Sequence, residues 1–341
     1  MKQNKQNPTM TDVARIAGVS AMTVSRALKG SESVTKDTRE KIMQAVDELG
    51  YVLDLSAGAL SSQKTGFVSV LIPSVNNSNF SETVHGISEV LEAKSKQVLL
   101  AYTDYSQQRE EQLIETMLQR RPEGIIVTGG MHTPRARKIL EQSAIPVIQT
   151  WDLSKTPIKH QVGFSNTAAV EDMVARLVFK GYRKIAFIGG DKDCDSRGIA
   201  RRRGYESAVK TLGLPKAHVV PMGAPPISIA HGGPAVVQLV EEWPEVEAVI
   251  CVSDLVAVGV IMECHRRNWS VPERLAVAGF GDFEISRHCW PTITTASVNC
   301  KKLGRQAGEL MMQAIDAEHT DTPLPAQSVI IPHSIIERES T

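Results

Sequence analysis

The chain has 341 residues, with 38 Lys and Arg against 38 Asp and Glu, so its formal net charge is zero at pH 7. At 42% hydrophobic and 22% charged it has the composition of an ordinary globular protein, long enough for two or three domains. No apolar run reaches the roughly 18 residues that span a bilayer, the N-terminal MKQNKQNPTM lacks the apolar stretch of an export signal, and five cysteines without a CxxC pair predict reduced thiols. Secreted, membrane and metal-scaffold classes are thereby set aside in favour of a cytoplasmic protein.

In chain order, residues 1–52 read as all helix. TDVARIAGVSAMTVSRALKG places Val13, Ala14, Ile16 and Ala17 on the apolar side of a first helix. Gly18 breaks it, Val19 plugs the turn and Ser20 is suited to cap a second helix. That helix buries Val24, Ala27 and Leu28 and turns Ala21, Met22, Ser25 and Arg26 outward. A third follows Ile42, Ala45, Val46 and Leu49 to Gly50. Two short helices joined by a glycine-bearing turn form a helix-turn-helix or a plain helical hairpin, and spacing alone leaves both open.

Residues 53–65, LDLSAGALSSQKT, show no core-forming periodicity and read as a linker. From residue 66 the texture changes. Strand-like runs FVSVLIP, VLLAY, GIIVTGG, PVIQTW, KIAFIGG, AVICVSD and LAVAGFGD alternate with helical patterns such as Phe80, Val84, Ile87, Leu91 and Val170, Val174, Leu177, Val178. Near-continuous apolar strands separated by helices predict parallel sheets covered on both faces. The length predicts two α/β lobes with a ligand between them. The glycine-bearing stretches spell neither a dinucleotide nor a P-loop motif, and no GxSxG or HExxH occurs. Neither an enzyme nor a cofactor or metal is expected.

The segment from Thr11 to Gly30, followed by VTKDTREKIMQAVDELGYV, resembles the headpiece of the lactose/galactose repressor (LacI/GalR) family, and the likeness continues to the end of the chain. The resemblance implies an all-α helix-turn-helix headpiece and a two-lobed effector domain like a periplasmic binding protein, with parallel sheets. It implies a repressor that binds a pseudo-palindromic double-stranded operator as a homodimer and responds to a small-molecule effector. The lobes would take 66–162 with 293–326, and 163–292 with 327–341. The ending IIPHSIIERES carries no heptad tail, so a dimer is expected.

By the same resemblance Ala21 and Met22 open the recognition helix, and both are apolar, suited to thymine methyl groups. Arg26 matches a base- or backbone-contacting arginine, with a solvated helix-end charge as the plainer alternative. Thr23 and Ser25 suit phosphates, and Thr11 and Ser20 join the DNA-facing set. Ala57 and Leu60 match the hinge, whose leucine wedges into the minor groove. Leu53, Leu55 and Gly58 depart from that hinge pattern.

Candidate effector positions follow the strands: Asn79, Phe80, Thr128, His132, Trp151, Phe164, Ser253, Asp254 and Asp282. Arg201, in Arg201-Arg202-Arg203-Gly204-Tyr205, matches the family's effector-gripping arginine, with Arg202 and Arg203 at the surface. Trp151 stacks on a sugar or packs the lobes, and His132 is a ligand or simply exposed. Asp254 accepts ligand hydroxyls or caps the next helix. MHTPRA, VIQTWD and VGFSN look most like the gluconate-operon repressor branch. Gly281 replaces an acidic residue of sugar-binding members, which favours an anionic effector such as gluconate or 2-ketogluconate over a neutral sugar. A soluble sugar-binding protein without regulatory role is the other alternative; it would have no use for the helix-turn-helix.

Net neutrality hides only a slight asymmetry. Residues 1–64 carry nine Lys and Arg against seven acids. Charge alone would not identify the DNA-binding end.

Overall fold

The computed structural model describes residues 7–53, 65–190, 195–223, 225–320, 322 and 324–341. The chain divides into two compact units, Met1–Thr65 and Gly66–Thr341.

In the first unit, helices α1 (Met10–Ala17), α2 (Ala21–Leu28) and α3 (Lys36–Leu49) enclose Val13, Ala14, Val24, Ala27, Val34, Ile42, Ala45 and Tyr51. Thr9 caps α1 in a capping box with Asp12. Gly18 ends the helix with φ +67°, a backbone conformation that a side chain makes costly. Ile16, expected inside, is 39% exposed, because with Val13 and Ala14 buried the 100° step carries it round to the outer face. Leu28 is half-buried. Arg39 on α3 donates to the carbonyls of Ala27 (2.6 Å) and Ser31 (2.7 Å), tying the end of α2 to the third helix.

The second unit holds two six-stranded sheets. One contains β1 (Phe67–Ile72), β2 (Gln97–Tyr102), β3 (Gly124–Thr128), β4 (Val147–Thr150), β5 (His160–Gly163) and β11 (Ser328–Ile330), in the order β2-β1-β3-β4-β5-β11. The other contains β6 (Ile185–Ile188), β7 (Val219–Val220), β8 (Ala248–Cys251), β9 (Ala276–Phe280), β10 (Thr294–Val298) and β12 (His333–Ile336), in the order β7-β6-β8-β9-β10-β12. All pairings are parallel except β10 with β12. The helices are α4 (Ser78–Glu92), α5 (Gln107–Gln119), α6 (Pro134–Gln142), α7 (Asn166–Phe179), α8 (Ser196–Thr211), α9 (Gly232–Glu242), α10 (Asp254–Arg266), α11 (Glu284–His288) and α12 (Cys300–His319). The seven strand-like runs all form strands, and the two helical patterns fall on α4 and α7.

The chain crosses between the sheets three times, but two crossings differ from the expected boundaries. The return to the first lobe comes after Val298 and not at 293, because β10 pairs with β9 in the second sheet. Helix α12 then packs along α4 and against β3, β4 and β5. The final crossing comes after Ile330 and not at 327, because β11 still pairs with β5 and only β12 belongs to the second sheet.

Among the described residues Cys251, Cys264, Cys289 and Cys300 are free thiols. No helix there is long and apolar enough to cross a membrane, and no cluster of metal-ligating side chains occurs.

Candidate functional site

The outer face of α2 is built by its cap. Ser20 Oγ accepts from the Thr23 amide (3.2 Å) and shares a hydrogen bond with the Thr23 hydroxyl (2.9 Å), which fixes the first turn. The helix carries no acid in that turn, so its positive end stays uncompensated. Ala21, Met22 and Arg26 are exposed, Met22 to 63%, while Thr23 and Ser25 are half-buried. Arg26 forms no ion pair among the described residues, and Thr11 is exposed in the first turn of α1. Ala57 and Leu60 lie outside the described residues.

The second site is a cleft where strand ends of both sheets meet. That is where open α/β sheets place ligands, because the loops leaving the carboxyl ends of the strands diverge there. Asn79 and Phe80 come from the start of α4, Trp151 from the end of β4, Arg197 and Arg201 from α8, Ser253 from the end of β8, and Phe280 and Gly281 from the end of β9. An aromatic series runs along and behind its wall. Phe80 and Trp151 lie 4.7 Å apart, Trp151 and Phe164 5.7 Å, Phe164 and Phe280 6.2 Å. The Trp151 indole N–H is buried with no acceptor among the described residues.

The Arg201 guanidinium carbon sits over the Phe280 ring, 3.6 Å from its centre. Its Nε donates to Asn166 Oδ1 (2.8 Å) and Nη1 to the Val252 carbonyl (2.7 Å). Burial pushes its pKa down to about 10, with Asp195 opposing and Arg197 adding to the depression. Arg202 pairs with Glu206 on the outside of α8, and Arg203 is exposed.

Gly281 is the tightest point. Its φ is +120°, and a Cβ would stand 2.6 Å from the Phe283 ring and 2.7 Å from Asn79 Nδ2. A side chain there would be strained and would have to displace both neighbours. The Asn79 amide donates to the Gly281 carbonyl (2.8 Å), a hydrogen bond between the two lobes.

Of the sequence-predicted positions, Asn79, Phe80, Trp151, Arg201 and Ser253 line this cleft. Five others do not. Phe164 stands behind Trp151 in the aromatic series. The Thr128 hydroxyl donates to the Leu71 carbonyl (2.9 Å) beside a neighbouring shallower pocket. His132 is neither ligand nor exposed. Its Nδ1 meets Glu110 (2.9 Å), and its Nε2 accepts from Gln149 (3.1 Å), whose own carbonyl oxygen takes the Ile158 amide (2.7 Å). Both ring nitrogens are committed within the first lobe.

Asp254 fills neither role expected of it. It is fully buried, accepting from the Phe283 amide (2.8 Å) and the Thr295 hydroxyl (2.6 Å), and no side chain caps α10. Burial raises its pKa to about 6. Asp282 faces Arg338 (2.6 Å) and Arg287 (2.7 Å); burial opposes, but these hydrogen bonds hold its carboxyl below the usual range. It therefore serves the fold of the second lobe.

Sequence reasoning misses Tyr105, Asp195, Arg197, Ile227 and Phe283 in the cleft wall. The signal for Arg197 is available: it stands one helical turn before Arg201, so both guanidinium groups leave the same face of α8.

Comparison with known proteins matches bacterial regulatory proteins of the lacI family over residues 9–54 and a periplasmic binding protein-like domain over 174–341. The HTH-type transcriptional regulator GntR of Pseudomonas aeruginosa is 36% identical over 90% of this chain and 89% of its own. The HTH-type transcriptional regulator IdnR of Escherichia coli K12 is 31% identical over 94% and 96%. The crystal structure of a LacI family transcriptional regulator from Silicibacter pomeroyi, 39% identical, superposes with a TM-score of 0.75 over 80% of this chain and 98% of that one. With its helix-turn-helix and its two-sheet ligand domain, the chain belongs to the LacI family and is a DNA-binding transcriptional regulator.

Proposed function

We propose that this regulator is a homodimeric repressor of sugar-acid catabolic genes, released from a pseudo-palindromic operator when gluconate or 2-ketogluconate enters the cleft. The observation that carries the reading is Arg201, a buried cation over Phe280 in an aromatic cleft. Phe80 and Trp151 offer apolar faces to a carbon skeleton, and Asn79, Ser253 and Trp151 offer polar atoms to its oxygens. Gly281 keeps a carboxylate away from the ligand. The resemblance to the gluconate-operon branch, and relatives named GntR and IdnR, support the same choice.

At the DNA, Ala21 and Met22 contact thymine methyls, Arg26 reaches guanine, and Thr11, Ser20, Thr23 and Ser25 set the helix against phosphates. Ala57 and Leu60 enter the minor groove, as the family resemblance implies. The effector acts through its differential affinity for the operator-bound and free states. The test is a gel shift of the protein on its own upstream region. Gluconate or 2-ketogluconate should release the DNA and glucose should not; release by glucose alone would replace the acid with a neutral sugar.

A further inference from the structure

Arg197 is the cleft cation with fewer hydrogen bonds to the protein than Arg201, although Asp195, Asp152 and Glu110 all hold its charge. The residue is 7% exposed, and its guanidinium lies over the rings of Phe80 (5.4 Å) and Tyr105 (5.9 Å). Its ion pair with Asp195 spans 3.5 Å, and among the described residues it donates no hydrogen bond. A guanidinium has five N–H donors in a planar fork, and those of Arg197 face the cleft. Arg201, by contrast, has already given Nε and Nη1 to the protein. The nearby Trp151 indole N–H is likewise buried without an acceptor, and its ring packs on Phe80 too. A guanidinium facing the cleft and an indole N–H without an acceptor thus converge around one ring. The charged side chains lining the cleft are Arg197, Arg201 and Asp195, with Asp152 and Glu110 acting on Arg197 from beyond the lining.

We propose that Arg197 takes the carboxylate of the effector in a two-point contact, with Arg201 and Trp151 meeting its hydroxyl or keto oxygens. Arg197 is then the residue that separates a sugar acid from a neutral sugar of the same shape. This rests on the sugar-acid reading above and adds to it the group that enforces the choice. A planar fork matches a carboxylate with two parallel N–H···O bonds, which an ammonium does not reproduce.

The experiment is calorimetry of the full-length protein with gluconate and with gluconamide, its uncharged isostere, using wild type, Arg197→Met and Arg197→Lys, with melting curves to verify folding. Wild type should bind gluconate more tightly than gluconamide. Arg197→Met should weaken gluconate roughly ten- to hundredfold and move gluconamide less than about threefold, so that the preference collapses. Arg197→Lys should keep the charge and lose most of the preference. Should Arg197→Met fail to fold, the lysine variant decides alone, and an undiminished preference in it overturns the proposal. If wild type binds gluconate and Arg197→Met keeps the same acid-to-amide ratio, Arg197 is not the carboxylate site while the sugar-acid reading stands. If wild type binds neither compound, that reading fails and this inference with it.

Discussion

Asp254 shows how a residue in a suggestive motif serves the fold. The VSD sequence at a strand end invites a ligand role, yet the carboxylate is fully buried and holds the Phe283 amide and the Thr295 hydroxyl. Both partners are distant in sequence, so no local pattern announces them. Burial raises the folded pKa to about 6, above the usual 3.8. For an acid raised in this way, the folded state keeps the proton longer than the unfolded one. The associated stability is fully present below about pH 4 and is lost as pH rises through 6. The loss is on the order of 2–3 kcal/mol. Asp254→Asn should accept from Phe283 through its carbonyl oxygen and donate to Thr295 through its amide, and so abolish the dependence. Urea unfolding at pH 4, 5, 6 and 7 measures this. A wild-type slope that persists in Asp254→Asn would place the titrating group elsewhere.

Among the elements, those whose signals are local are legible in sequence. The helix-turn-helix is announced by a glycine break, a serine cap and two apolar faces within twenty residues. The strands β1, β3, β6, β8 and β9 are apolar runs buried on both faces. Strand β5 reads HQVG and β10 reads TTASV, both buried but polar enough to give no hydrophobic signal. The lobe boundaries near 293 and 327 depend on those strands' partners, which pairing decides and periodicity does not. The cleft is legible in part for the same reason: Phe80, Trp151 and Arg201 follow obvious strands or a matched motif, whereas Phe283 enters through a turn folded back on α10.

Arg39 is the counterpart in the first unit. It neutralises carbonyls at and just beyond the C-terminal end of α2, where the helix dipole is negative. Arg39→Ala should lower the stability of the three-helix unit by about 1–3 kcal/mol and leave the second unit unchanged. Amide hydrogen exchange is the measurement: protection should fall across 21–49 and stay the same in β1, β3 and β8. A uniform loss throughout the chain would argue against a local tie.

For the molecule as a whole, the proposed repressor obeys linkage. If gluconate lowers operator affinity by some factor, operator DNA must lower gluconate affinity by that same factor. Couplings of this kind typically amount to about 5- to 150-fold. The two ends of the equality are separately measurable, by anisotropy of labelled upstream DNA with and without saturating gluconate, and by calorimetry of gluconate with and without that DNA. Arg201→Ala separates the site from the coupling. It removes a buried cation whose two hydrogen bonds lie within the cleft wall, so gluconate affinity should fall at least about tenfold. Operator affinity in the absence of gluconate should stay within about twofold, because the headpiece that reads DNA contains none of the residues that Arg201 touches. Factors of one at both ends would mean that gluconate binding does not act on the operator equilibrium. A large loss of operator affinity in unliganded Arg201→Ala would mean that Arg201 sets the balance between the two states by itself, with the ligand only replacing what the side chain already does.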